Sequence, residues 1–92
     1  MTTAIRLSIE GRVQGVRYRA WLEREARLRG LRGWVRNRRD GSVEALLIGE
    51  DDAVAAAITA CAHGPRLAKV TSVERIQAED DGSIGFRELS TM

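Results

Sequence analysis

Gly11-Arg12-Val13-Gln14-Gly15-Val16-Arg17-Tyr18-Arg19 joins two unlike patterns. Before it, Ile5, Leu7 and Ile9 alternate with Arg6, Ser8 and Glu10, the period of a half-buried strand. After it, residues 18–29 carry Tyr18, Trp21, Leu22, Ala26 and Leu28 as the apolar face of a helix, interrupted by Glu25 and Arg29 and closed by Gly30. The stretch is therefore a strand-to-helix turn. Gly11 and Gly15 are both expected to let it curl, because glycine takes positive φ without steric cost. A turn of this kind aims the unpaired N–H groups of a helix N-terminus at one spot. Arg19 adds a permanently charged fork suited to phosphate oxygens. The segment reads as a cradle for a small phosphate.

Outward from the turn, residues 31–38 predict a second strand around Trp34 and Val35. Asp40-Gly41 is a strong hairpin signal, returning the chain as a third strand over 42–49. A second helix is expected over 51–63. Asp51 and Asp52 suit its N-terminus, Val54, Ala57, Ile58 and Cys61 share one face, and Gly64-Pro65 stops it. Residues 68–78 predict another strand, with Val70, Val73 and Ile76 out of strict alternation, so a bulge is expected near Ser72. Asp81-Gly82 turns the chain toward a short terminal strand over 84–89. This order is the ferredoxin-like βαββαβ sandwich: an α+β fold with an antiparallel sheet and two helices on one face, here a single domain over 1–92. Trp34 and Cys61 read as core residues. His63 reads as a cap at the C-terminus of the second helix rather than as a base.

Composition narrows the function. Residues 1–39 hold 11 arginines against 3 acidic side chains, a balance of +8, whereas residues 40–92 balance at −6. The positive half contains the glycine turn. The plain reading of these arginines is a solvated surface, and the functional reading is a positive field around an anion site. No run of about 18 apolar residues exists to span a membrane, and the N-terminus has no signal-peptide pattern. One cysteine forbids an internal disulfide and suits a reducing cytoplasm. One cysteine with one histidine cannot build a Cys/His zinc site, so neither metal nor cofactor is expected.

Two motifs then carry a family resemblance. The run Gly11–Arg19 resembles the first signature of the acylphosphatase family, and Gly33-Trp34-Val35-Arg36-Asn37-Arg38-Arg39-Asp40-Gly41-Ser42-Val43-Glu44 resembles the second. Cys61, Gly64-Pro65, Ala68, Val70 and Val73 fit the same pattern, so the resemblance covers essentially the whole chain. Tyr18 departs from it, standing where the family usually has phenylalanine or methionine; its hydroxyl needs water or a partner. The resemblance implies hydrolysis of acyl phosphates to a carboxylate and inorganic phosphate, with Arg19 binding the phosphate and Asn37 positioning the attacking water.

The chemistry of the residues agrees. An acyl phosphate releases a carboxylate, a stable anion, so no general acid is needed. The reaction needs charge stabilisation on the phosphoryl oxygens and a placed water. The amides of Gln14, Gly15, Val16, Arg17, Tyr18 and Arg19, with the Arg19 fork, are expected to supply the first. The Asn37 carboxamide, which donates and accepts, supplies the second. Inorganic phosphate would be product and inhibitor, and the protein would act as a cytoplasmic monomer. Taken singly, each residue has a plainer reading: a turn, a surface arginine, a hairpin asparagine. Two rivals share the pattern: a non-hydrolytic acyl-phosphate-binding module, as at the N-terminus of hydrogenase-maturation carbamoyltransferases, and a small nucleic-acid-binding domain. The second is disfavoured because the first strand offers Leu7 and Ile9 but no stacking aromatic.

Overall fold

The computed structural model describes residues 1–92. Alternation makes β1 (Thr2–Arg12), which buries Leu7 and Ile9 on one face and Ala4 on the other. Helix α1 (Tyr18–Leu28) buries Tyr18, Leu22 and Ala26 at four-residue intervals, with Trp21 beside them. Leu28, expected on this face, is 82% exposed. At about 100° per residue it lies roughly 120° from the centre of their line. The helix ends as expected. Gly30 takes φ 71° and donates to Arg27 O, while Leu31 N–H reaches Ala26 O.

Strands β2 (Arg32–Asn37) and β3 (Val43–Glu50) form the hairpin, followed by α2 (Asp51–Cys61), β4 (Lys69–Gln77) and β5 (Phe86–Glu88). The sheet order is β4-β1-β3-β2-β5. Its first four strands are antiparallel neighbours, as the βαββαβ order requires. β5 departs from the all-antiparallel expectation: it adds to the free edge of β2 in parallel, so the sheet is mixed. The cause is the segment after β4, which crosses the open sheet face before the chain re-enters as β5. Arg32 ties that segment down through the Asp80 carboxylate and the Ser83 carbonyl. Both helices cover the other face over a core of 17 buried residues, including Leu47, Val54, Ala57, Cys61 and Phe86.

Trp34 corrects the sequence reading. It lies on the open face, partly buried against the small cluster of Ala4, Leu46 and Ile48, and its indole N–H donates to Asp81 Oδ2 at 3.1 Å. Strand alternation decides this: Val35 is fully buried beneath the helices, so its neighbour must point away. Gly11 also has a different role from the one expected. Glu10 pairs with Ser72 and Gly11 with Val70, so Thr71 is the extra residue of a bulge next to the expected position. At φ +122°, a Cβ on Gly11 would lie 2.2 Å from Lys69 O. Gly11 accommodates the bulge, and Gly15, at φ +73°, makes the turn. No helix is long and apolar enough to cross a membrane.

Candidate active site

The connection from β1 to α1 bends through Gly15 and then through Arg17, which takes the left-handed conformation at φ 62°, ψ 31°. Arg17 is the only non-glycine residue with positive φ, a conformation that costs energy for a side chain with a Cβ. It starts α1 without a side-chain cap, and the first turn of the helix holds no acidic residue. The positive end of this helix dipole therefore has no counter-charge within its own first turn. Helix α2 is the opposite case, with Asp51 and Asp52 in its first turn.

Gln14, Gly15, Arg17, Tyr18 and Arg19 share a concavity of about 350 Å³ with Asn37, which comes from the far end of β2. Topology makes the meeting possible. β1 and β2 lie on either side of β3, and Asn37 falls on the same sheet face as buried Val35, two residues before it. Val16 does not line this concavity: its side chain is buried in the core, and the expectation concerned its backbone amide.

The side chains within this site are held differently. The Gln14 carboxamide does not face a ligand: its Nε2 donates to Arg38 O at 2.7 Å and Ser42 O at 2.9 Å. It fastens the loop to the hairpin that carries Asn37. Arg19 Nη1 donates to Leu89 O at 3.2 Å, so the guanidinium is steered by a neutral carbonyl and keeps its net charge. Arg19 is in no ion pair, and the Asn37 carboxamide makes no hydrogen bond within the chain. The Tyr18 hydroxyl points inward and donates to Cys61 O at 2.7 Å, which satisfies the extra polar group. Burial, and then the neighbouring Cys61, push the Tyr18 hydroxyl well above its usual pKa, so it remains a donor. Burial likewise lifts the Cys61 thiol to about 11, which keeps it protonated.

Glu88 of β5 also lines the concavity, and sequence reasoning missed it. Its place depends on β5 running parallel beside β2, which no local pattern announces. A larger concavity of about 450 Å³ lies elsewhere, among Glu10, Gly11, Asp40, Gly41, Ser42 and Thr71. It has two carboxylates and no cation, so it repels the anion that the first site would attract. His63 lies exposed just beyond α2 and does not line the site. No group of three or more histidine, cysteine, aspartate or glutamate side chains is arranged to hold a metal ion.

A ferredoxin-like sandwich with a cationic loop at a helix N-terminus defines the class: a small α+β domain of the βαββαβ type. The acylphosphatase family model matches residues 5–88. The acylphosphatase of Azorhizobium caulinodans is 50% identical over 93 residues, covering all of both chains. The crystal structure of acylphosphatase from Bacillus subtilis superposes with a TM-score of 0.91 at 36% identity, over 97% of this chain and 99% of that one. Full-length HypF in its phosphate- and nucleotide-bound form also superposes, with a TM-score of 0.91. It is 24% identical and matched over 12% of its length, a likeness of fold alone. The chain belongs to the acylphosphatase family, enzymes that hydrolyse acyl phosphates.

Proposed function

We propose that this protein hydrolyses acyl phosphates by direct attack of a water oriented by Asn37 on a phosphoryl group held by Arg19 and the amides of residues 14–19. One observation carries the reading: Arg19 and Asn37, from separate elements, line one concavity with the loop, and neither is in an ion pair. Phosphoryl oxygens fit the open amides at the start of α1, and the Arg19 fork offsets their charge. Water bound to the Asn37 carboxamide attacks phosphorus. The P–O bond to the acyl group breaks, and the electron pair leaves with the carboxylate, which needs no proton. Inorganic phosphate is the product and competes for the same cradle. In this reading the domain acts as a monomer, and the single buried Cys61 supports a reducing, cytoplasmic setting.

The test uses benzoyl phosphate with the wild-type protein and Asn37→Ala. Wild type is expected to turn over, with or without EDTA. The variant is expected to lose roughly 10²-fold in kcat, the scale of one positioned polar group, with phosphate inhibition nearly unchanged. A large rise in the phosphate inhibition constant at constant kcat would make Asn37 a binding residue. Absence of wild-type turnover, with phosphate still bound, would favour the non-hydrolytic module. RNA binding that weakens with salt, without turnover, would favour the nucleic-acid domain.

A further inference from the structure

The active-site concavity contains one carboxylate, Glu88. Its placement follows from β5. Phe86 is buried in the core, Arg87 pairs with Trp34 and so shares its open face, and Glu88 returns to the side of the helices opposite Val35. β5 is the edge of the sheet, and Glu88 is exposed at that edge. It forms no ion pair within the protein. The carboxylates that form ion pairs are those of Glu23, Glu25, Glu44, Glu50 and Asp80. Arg19 lies beside it yet bonds the carbonyl of the next residue, Leu89, instead of the carboxylate.

We propose that Glu88 sorts substrates by the charge of the acyl group, disfavouring acyl phosphates that carry a further anionic group and favouring cationic ones. The inference rests on the hydrolytic reading above. In that reading the phosphoryl group lies against the loop amides at the base of the site. The acyl group then extends away from those amides, and Glu88, exposed on the edge strand, lines the same concavity. The apolar residues lining the site are Val13, Tyr18 and Ala20, from the loop and the first turn of α1, so β2 and β5 offer an acyl chain no apolar wall. A fixed charge there is the feature left to discriminate. Two unit charges roughly 8 Å apart, in surroundings between protein surface and water, alter relative rates by about two- to sixfold.

The experiment compares three substrates on one scaffold: benzoyl phosphate, 4-carboxybenzoyl phosphate and 4-trimethylammoniobenzoyl phosphate. Each kcat/KM is measured for wild type and Glu88→Gln, and the charged substrates are divided by benzoyl phosphate. The intrinsic reactivity of each mixed anhydride cancels between the two proteins. Glu88→Gln is expected to raise the carboxy ratio about two- to sixfold and lower the ammonio ratio by a similar factor. Both changes should shrink in 0.5 M salt, because Glu88 is exposed to ions. Unchanged ratios overturn the proposal while leaving hydrolysis intact. An equal gain on all three substrates, with tighter phosphate inhibition, also overturns it, since Glu88 would then act on the phosphoryl group. If wild type hydrolyses none of the three, the hydrolytic reading itself falls, and this inference with it.

Discussion

Arg19 and the pair Arg36 and Arg38 lie on opposite sides of one sheet and keep opposite company. Behind the sheet, Arg36 Nε is 2.8 Å from Glu44 Oε1, Arg38 Nη2 is 2.7 Å from Glu44 Oε2, and Arg6 approaches at 3.9 Å. The Arg36 guanidinium also stacks over Trp34, 4.9 Å from the ring centre. Glu44 is only 3% exposed. Burial alone would raise its pKa, but the hydrogen bonds and charges of Arg38 and Arg36 outweigh it and hold the carboxyl below its ordinary value. On the helical side Arg19 has only the Leu89 carbonyl. A guanidinium closed on a carboxylate is part of the scaffold. One steered by a neutral carbonyl keeps its charge and its remaining donors for a ligand.

The sharpest way to break this contrast is to exchange arginine for lysine on each side. Arg19→Lys is expected to cost at least about 10³-fold in kcat/KM for benzoyl phosphate, because a point charge cannot reproduce the fork on a phosphoryl group whose charge must be offset. Arg19→Ala should be no better. Arg36→Lys should stay within about twofold of wild type, since its charge answers Glu44 and not the substrate. Equal losses from both lysine variants, at equal stability, would erase the distinction between the two sites.

The second test addresses stability on the Glu44 side. Glu44→Gln removes the buried charge and replaces one of its two acceptor oxygens with an NH2 group that faces an arginine donor. Breaking a buried pair costs about 3–5 kcal/mol, and partial exposure of Arg36 and Arg38 reduces this to about 1–3 kcal/mol at pH 7. The pH dependence has a definite sign. The folded pKa of Glu44 lies below its unfolded value, so its contribution is present above the unfolded pKa, near 4.5, and is lost as pH falls through the folded value. Denaturant unfolding at pH 7 and at stepwise lower pH should show the wild-type advantage shrinking below about 4.5. A gap that persists undiminished into strong acid would mean that packing, not ionisation, separates the two proteins.

The two sides also differed in how plainly the sequence announced them. The turn into α1 is legible because a glycine, a helix start and an arginine are local, and local order dictates which amides stand open. Asn37 was legible through the second motif and the strand order, which brings the end of β2 beside the loop. Glu44 was not: within Val43–Glu50 every residue up to Ile48 is buried, and a central strand covered on both faces loses the alternation that would assign it a side. Trp34 was misassigned for a related reason, since the segment that covers it arrives from residues 78–85. Glu88 depended on the same long return. Gln14 was expected as a cradle residue, yet its carboxamide fastens to carbonyls 24 and 28 positions away, contacts that no local pattern encodes.

Tyr18 supplies the intermediate case and the smallest expected effect. Like Arg19, it donates to a neutral carbonyl; like Glu44, it is buried, at 1% exposure. Its ring fills the space that Gly64 leaves open, where a Cβ would lie 2.8 Å from Tyr18 Cε2. Tyr18→Phe keeps this ring and removes only the hydroxyl. The cost is then the bond to Cys61 O, whose carbonyl is left at the end of α2 without that donor. A neutral hydrogen bond contributes about 1 kcal/mol net, and leaving a buried acceptor unpaired pushes the loss toward 2. For a domain of this size that lowers Tm by roughly 4–8 °C per kcal/mol. Thermal unfolding of the two proteins at pH 7 measures it directly. A phenylalanine variant as stable as wild type would show that water or a neighbouring amide takes up the Cys61 carbonyl. Burial would then matter less to this donor than its partner does, and the contrast between Arg19 and the Glu44 cluster would rest on charge alone.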